Sequence, residues 1–165
     1  GADVAVVNIM GRLFMPSVRD PFRAVDAILD SLLGRAGIII VDFHAEATSE
    51  KMAFGWHVDG RVTAVLGTHT HVPTSDERLL HEGTAYISDV GMTGPYDSVI
   101  GVEKGPVLER FLTQRPVRLQ PATDNVRLAG ALIDVDPGSG RALSIRRVLE
   151  TEDGVQQDEG STPGA

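Results

Sequence analysis

Short apolar runs alternate with segments of helical periodicity over the first 66 residues of the chain. Residues 4–9 and 37–43 are almost continuous in apolar side chains and predict two buried strands, and residues 61–66 predict a third. Between them, residues 21–33 repeat apolar side chains at helical spacing behind a capping aspartate, and residues 48–58 predict a second helix. This strand–helix–strand–helix–strand order predicts a partly parallel sheet with right-handed crossovers.

The pattern changes beyond residue 77. Two pairs of short apolar segments, each pair joined by a turn, predict hairpins over residues 78–88 and 126–149. A helix is predicted between them, around residues 104–112, with a proline allowed only in its first turn. The composition then turns polar, so we expect a disordered tail over residues 151–165.

The composition excludes several classes of function. With 165 residues and 42% hydrophobic content, the chain fits one soluble domain with a substantial core. It has no apolar run of about 18 residues, the length that a spanning helix needs, so we expect no membrane partner. Its 15 Lys plus Arg against 23 Asp plus Glu give a formal charge of −8, which argues against a general nucleic-acid-coating protein. The absence of cysteine is compatible with a reducing, cytoplasmic location.

Three of the five histidines directly follow predicted strands. His44 directly follows the second strand, and His69 and His71 come after the third. Because ligands collect at the carboxyl edge of open α/β sheets, we expect these three imidazoles to meet at one edge, with His69 and His71 pointing the same way on an extended segment. Neutral imidazole binds Zn, Fe, Mn and Cu, so the pattern predicts a metal site. His57 and His81 are interpreted as structural and exposed, respectively.

Charge limits what this site holds. Three neutral imidazoles suffice for one catalytic Zn²⁺ with an open water position. Two divalent ions would need carboxylates as well, and the candidates near in sequence are Asp42, Glu46, Asp76 and Asp89. We interpret Asp42 as a residue that orients a histidine, and Glu46 and Glu50 as solvated charges at a helix entry. A dinuclear site therefore looks incomplete within these residues.

Three motifs carry a family resemblance. They are Asp-Phe-His-Ala-Glu-Ala-Thr-Ser-Glu-Lys at residues 42–51, Gly-Thr-His-Thr-His-Val-Pro at residues 67–73 and Asp-Val-Gly-Met-Thr-Gly-Pro-Tyr-Asp at residues 89–97. Over residues 3–150 the chain resembles the YmdB-like branch of the calcineurin-type metallophosphoesterases. The resemblance implies bacterial, cytoplasmic phosphodiesterases associated with cyclic nucleotides, built as a sandwich of two sheets flanked by helices. It also implies a dinuclear centre of divalent metal, with Fe, Mn, Mg and Zn as the candidates.

The resemblance assigns metal ligands one residue at a time. His44 matches a lone histidine ligand of the family, and His69 and His71 match the two histidines of its Gly-x-His-x-His element, one for each metal. The family's front portion also carries an Asp, a Glu-Asn pair and a Gly-Asn-His segment, and none of these has a match here. The general-acid histidine would belong to that unmatched portion, so we assign no catalytic or substrate-binding residue in this chain.

The expected architecture is α/β, with a mixed sheet and flanking helices that make up about half to two-thirds of a four-layer metallophosphoesterase sandwich. Residues 1–150 would form the carboxy-terminal part of such a domain. The expected function is that of a metal-dependent phosphodiesterase for cyclic-nucleotide-type substrates, with little or no activity in these residues alone.

Two alternatives stay open at this point. One is a mononuclear zinc hydrolase that uses the same three histidines. The other is a non-catalytic binding or assembly module, in which the glycine-rich segment 91–101 serves a partner chain or a second copy in a homo-oligomer. Metal content separates the first from a dinuclear enzyme, and light scattering with and without metal tests the second.

Overall fold

The computed structural model describes residues 3–151 and 154–156, and the chain divides into two compact units. The first unit comprises residues 1–91 and 131–146, and the second comprises residues 92–130 and 147–165. Strands and helices alternate at the start of the first unit, and a short hairpin follows. These elements are β1 (Val4–Met10), α1 (Pro21–Leu32), β2 (Ile38–His44), α2 (Thr48–His57), β3 (Ala64–Thr68), β4 (Arg78–Leu79) and β5 (Ala85–Ile87).

The five strands form one sheet in the order β1-β2-β3-β5-β4. Strands β1, β2, β3 and β5 are parallel to their neighbours, and β4 runs antiparallel to β5. This sheet confirms the predicted mixed α/β class with flanking helices. The predicted hairpin over residues 78–88 consists of β4 and β5. Its second strand, β5, also pairs with β3 and so extends the parallel sheet.

The main core lies between the sheet and the two helices α1 and α2. From α1, Val25 and Leu29 are buried against the sheet, and Asp20 caps the helix by accepting the Phe22 and Arg23 amides. From α2, Phe54 is fully buried and stacks on Phe43 of β2 with ring centroids 4.0 Å apart. The two helices therefore fix the strands whose carboxyl ends carry the histidines.

Strand β1 departs from the buried strand that its apolar sequence predicts. Val7 and Ile9 are buried, but Val4 and Val6 are 58% and 75% exposed. The reason is position, because β1 lies at the edge of the sheet and its side chains alternate between two faces. Only one of those faces packs into the core of Val25 and its neighbours.

The second unit contains a short strand, a helix and parts of longer strands that both units share. Its elements are β6 (Gly94–Pro95), α3 (Lys104–Thr113), β7 (Val126–Val135), β8 (Ala142–Thr151) and β9 (Gly154–Gln156). Strands β6 to β9 form a four-stranded sheet in chain order, and β7 and β8 have residues in both units. The predicted helix and second hairpin are confirmed.

The predicted disordered tail falls mostly outside the described residues. Thr151 ends β8 and residues 154–156 form β9, whereas residues 152–153 and 157–165 are not described. Within the described part of the chain, no helix has the length and apolar character needed to cross a bilayer.

Candidate metal centre

The carboxyl ends of β1, β2 and β3 bring the candidate residues to one edge of the parallel sheet. The strand register sets Asn8 beside Asp42 and His44 beside Thr68. His69 is the first residue after β3. Strand pairing alone thus places a carboxylate, a hydroxyl and two imidazoles next to one another, as the sequence predicted for His44 and His69.

A chain of hydrogen bonds fixes the ring of His44. The Thr68 hydroxyl donates to Asp42 Oδ1 over 2.7 Å, and Asn8 Nδ2 donates to Asp42 Oδ2 over 2.8 Å. His44 Nδ1 lies 3.1 Å from the same Thr68 oxygen. Because the only Thr68 hydroxyl proton is given to Asp42, His44 Nδ1 must donate, and the Nε2 atom of the neutral ring then carries a lone pair.

The His44 lone pair faces His69. His44 Nε2 and His69 Nδ1 are 3.1 Å apart, and the two rings meet edge to face with centroids 4.8 Å apart. On its other side, His69 Nε2 lies 3.0 Å from Glu46 Oε2. The His69 and Glu46 side chains are 33% and 48% exposed, so the pair is accessible to a small solute.

The backbone that carries His69 and His71 is not the extended segment that was expected. His69 and His71 both have positive φ angles, 108° and 67°, and β3 has already ended at Thr68. Alternation points two such side chains the same way only on an extended strand, and this segment is not extended, so that argument does not apply to His69 and His71. His71 is exposed on the loop, while His44 and His69 are in contact.

Two of the candidate carboxylates are structural. Asp89 is only 1% exposed and pairs with the equally buried Lys51 over 2.8 Å. Asp76 accepts hydrogen bonds from the Ser88 and Thr74 hydroxyls. Burial of Asp76 opposes its ionisation, but these hydrogen bonds outweigh burial and lower the pKa of its carboxyl below the usual value.

Glu50 is a correction to the sequence interpretation, which made it a solvated charge. It is only 5% exposed, and its carboxylate accepts the backbone N–H groups of Arg12 and Leu13 over 3.0–3.2 Å. Glu46 is exposed, as predicted, but it also contacts His69. Hydrophobic periodicity gave no signal for the burial of Glu50 and Lys51, since both are charged residues near the start of a helix.

The donor set fits part of a metal site. Two nitrogens bound to one Zn²⁺ at about 2.0–2.1 Å in tetrahedral geometry lie roughly 3.3 Å apart. His44 Nε2 and His69 Nδ1 are hydrogen-bonded 3.1 Å apart, so an ion that bound both nitrogens would replace the proton between them. Over residues 3–151 and 154–156, however, no three His, Cys, Asp or Glu side chains are arranged to hold an ion as they stand. The described residues supply an oriented imidazole pair, and a complete ligand set needs further groups.

The parallel sheet and the pair of imidazoles at its carboxyl edge place the chain among α/β proteins that have a histidine-containing site at the strand ends. The model of the YmdB-like protein family matches residues 1–148, so the chain belongs to that family. This match confirms the resemblance that the three motifs indicated.

Relatives with assigned names agree with the family match. The chain is 48% identical over 153 residues to a 2′,3′-cyclic-nucleotide 2′-phosphodiesterase of Bacillus subtilis (strain 168), covering 93% of this chain and 58% of the relative. It is 36% identical over 157 residues to a putative phosphatase/phosphodiesterase of Mycoplasma pneumoniae, covering 92% of this chain and 54% of the relative. The chain thus spans little more than half the length of these relatives.

Two solved structures share the fold. A hypothetical protein from Thermus thermophilus superimposes with a TM-score of 0.84 at 45% identity, over 90% of this chain and 57% of that one. A novel phosphatase from Mycoplasma pneumoniae superimposes with a TM-score of 0.81 at 35% identity, over 88% of this chain and 52% of that one. The fold of the described residues is therefore shared with a phosphatase.

Proposed function

We propose that this chain forms the histidine-bearing part of a metal-dependent phosphodiesterase, with His44, His69 and His71 as ligands of divalent metal. The observation that carries the proposal is the contact between His44 Nε2 and His69 Nδ1, 3.1 Å apart at the carboxyl edge of the sheet. Asp42, acting through Thr68, holds the His44 ring in the tautomer that a metal ligand needs. A bound divalent metal would polarise a phosphoryl oxygen and activate water.

We assign small phosphodiesters of the cyclic-nucleotide type as the substrate class. The assignment rests on the name of the Bacillus subtilis relative, which matches 93% of this chain. Charge supports a need for metal, because a chain of formal charge −8 repels a phosphodiester anion unless a cation reverses the local field. A cytoplasmic location belongs to the same proposal, and the lack of cysteine is compatible with it.

We expect weak or no turnover from this chain by itself. Two divalent ions bring four positive charges, and the sheet edge offers two carboxylates, Asp42 and Glu46. Asp42 is already engaged by Asn8 and Thr68, and Asp89 is neutralised by Lys51. The carboxylates at the sheet edge therefore do not balance the charge of two divalent ions, and a reaction that needs both ions should be slow.

Mn²⁺ calorimetry tests the metal site, with bis-p-nitrophenyl phosphate hydrolysis measured in the same samples. We expect the wild-type chain to bind Mn²⁺, and His44→Ala and His69→Ala to abolish measurable binding. His81→Ala is the matched control, because His81 is exposed and stacks on Trp56, 5.4 Å between ring centroids. His81→Ala should bind Mn²⁺ like the wild type.

The outcomes separate the two parts of the proposal. A wild-type chain that binds no divalent metal would contradict the metal site. Robust hydrolysis that disappears in His69→Ala would instead show that this chain supplies a full ligand set, and the expectation of weak turnover would be wrong. The calorimetric stoichiometry distinguishes one ion per chain from two.

A further inference from the structure

The segment that carries two of the histidines, residues 69–71 (the histidine loop), adopts a strained backbone. His69 and His71 lie at φ 108° and 67°, a region that residues with a Cβ seldom occupy. Two such residues in one tight loop persist only where the surrounding structure holds them. The histidine loop therefore needs an anchor, and its middle residue, Thr70, has one.

The anchor is the carboxylate of Asp89. Its Oδ2 atom accepts the backbone N–H of Thr70 over 3.0 Å and the ammonium of Lys51 over 2.8 Å. Its Oδ1 atom accepts the backbone N–H of Gly91 over 2.9 Å. One buried carboxylate thus connects the loop after β3, the loop after β5 and the first turns of α2.

The Lys51–Asp89 ion pair contributes more to the position of the histidine loop than to the free energy of unfolding. The Lys51 and Asp89 side chains are 2% and 1% exposed, and burying two charges costs about as much as their attraction returns. An apolar pair of the same volume would pack as well, but it could not accept the Thr70 N–H. The two oxygens of Asp89 accept the Thr70 and Gly91 amides, and the Lys51 ammonium donates to Oδ2 as well.

We propose that Lys51 and Asp89 are positioning residues that hold the histidine loop in the conformation that brings His69 to His44. The proposal rests on the proposed metal-binding function of His69. Neither residue contacts the substrate space at the sheet edge, since both side chains are almost fully buried. They act through the Thr70 amide, which lies between the two histidines of the loop.

The test uses Lys51→Met, which removes the charge, and Asp89→Asn, which keeps the side-chain shape. Amide hydrogen exchange of Thr70 is measured by NMR, with the Val41 amide of β2 as an internal reference, and Mn²⁺ affinity is measured by calorimetry. We expect Thr70 exchange to accelerate about tenfold or more relative to Val41. Mn²⁺ affinity should fall roughly 10–100-fold.

Val25→Ala is the control for a general loss of stability. Val25 is fully buried between α1 and the sheet and has no part in the histidine loop. The Val25→Ala variant should have a lower unfolding midpoint. The ratio of the Thr70 and Val41 amide exchange rates and the Mn²⁺ affinity should stay at their wild-type values. If Val25→Ala reproduces the effects of the two variants, the effects follow stability alone and the inference is wrong.

Two further outcomes decide the remaining cases. If Asp89→Asn folds and leaves both Thr70 exchange and Mn²⁺ affinity at wild-type values, the positioning role is overturned, whether or not Lys51→Met folds. If the wild-type chain binds no Mn²⁺, the proposed function fails instead. The positioning role is then decided by Thr70 exchange and by the NMR contact between the His44 and His69 rings, which do not need metal.

Discussion

At the scale of single residues, the candidate site depends on one hydroxyl group. Thr68 Oγ1 donates to Asp42 and accepts from His44, so a threonine transmits the orienting effect of a carboxylate to an imidazole. The sequence interpretation assigned Asp42 the task of orienting a histidine, and Asp42 does contact His44 through this intermediate. Thr68 carries no sequence signal of its own, because a threonine at a strand end is ordinary.

Thr68→Val tests this relay, since valine has nearly the same shape and lacks the hydroxyl. We expect Mn²⁺ affinity to fall about tenfold with the fold intact, because the His44 ring loses the partner that sets its tautomer. Thr113→Val is the control, since the Thr113 hydroxyl donates to the Glu109 carbonyl and accepts the Arg115 N–H at the exposed end of α3, outside the unit that carries the histidines. Calorimetry of the two variants is the measurement, and equal affinities would contradict the relay.

The sequence predicted part of the site, for a physical reason. His44 and His69 follow strands, and strand ends are set by local apolar patterns that a sequence displays. The burial of Glu50 and Lys51 depends on backbone amides and a carboxylate that lie 37 or 38 residues away. No local pattern encodes such partners, which is why Glu50 was assigned to solvent.

At the scale of elements, the close approach of β3 to the end of β5 shapes the site. A Cβ added to Gly67 would overlap the backbone carbonyl oxygen of Ser88, and Val90 donates its N–H to the Gly67 carbonyl over 2.9 Å. Only glycine allows these two backbones to meet here. The element order was predictable from periodicity, but this contact joins separate strands and has no local signature.

Gly67→Ala should therefore destabilise the chain by about 3 kcal/mol or more, at or above the upper end of overpacking effects, because backbone atoms must move. Gly105→Ala is the matched control. A Cβ at Gly105 meets nothing within 4 Å in the first turn of α3, so we expect a gain of about 0.4–1 kcal/mol. Urea unfolding of the two variants measures both effects, and similar midpoints would refute the close-contact argument.

At the scale of the whole molecule, acid should weaken the fold. Burial raises the pKa of Asp76, but the hydrogen bonds from Ser88 and Thr74 outweigh burial and lower the pKa below 3.8. Hydrogen bonds from the Arg61 guanidinium and from His57 lower the pKa of Asp26. A carboxyl with a depressed pKa in the folded state contributes stability above its unfolded pKa. That contribution disappears as the pH falls through the folded pKa.

Asp76→Asn measures one part of this effect. Because the amide cannot ionise, we expect the variant to be less stable than the wild type at neutral pH, with the difference narrowing as the pH falls below about 3.8. Asp30→Asn, on the exposed surface of α1, should differ little from the wild type throughout. Urea unfolding from pH 7 to about pH 3 is the measurement, and a constant gap for Asp76→Asn would contradict the prediction.

Two consecutive residues of α2 bind different chain segments at the carboxyl edge of the sheet. Glu50 accepts the Arg12 and Leu13 amides in the segment after β1. Lys51 donates to Asp89, which accepts backbone amides from the segments after β3 and β5. Because both contacts start from one turn of α2, the position of this helix sets the positions of both segments. Helix α2 thus connects the segment after β1 with the histidine loop, which Asp89 holds through the Thr70 amide.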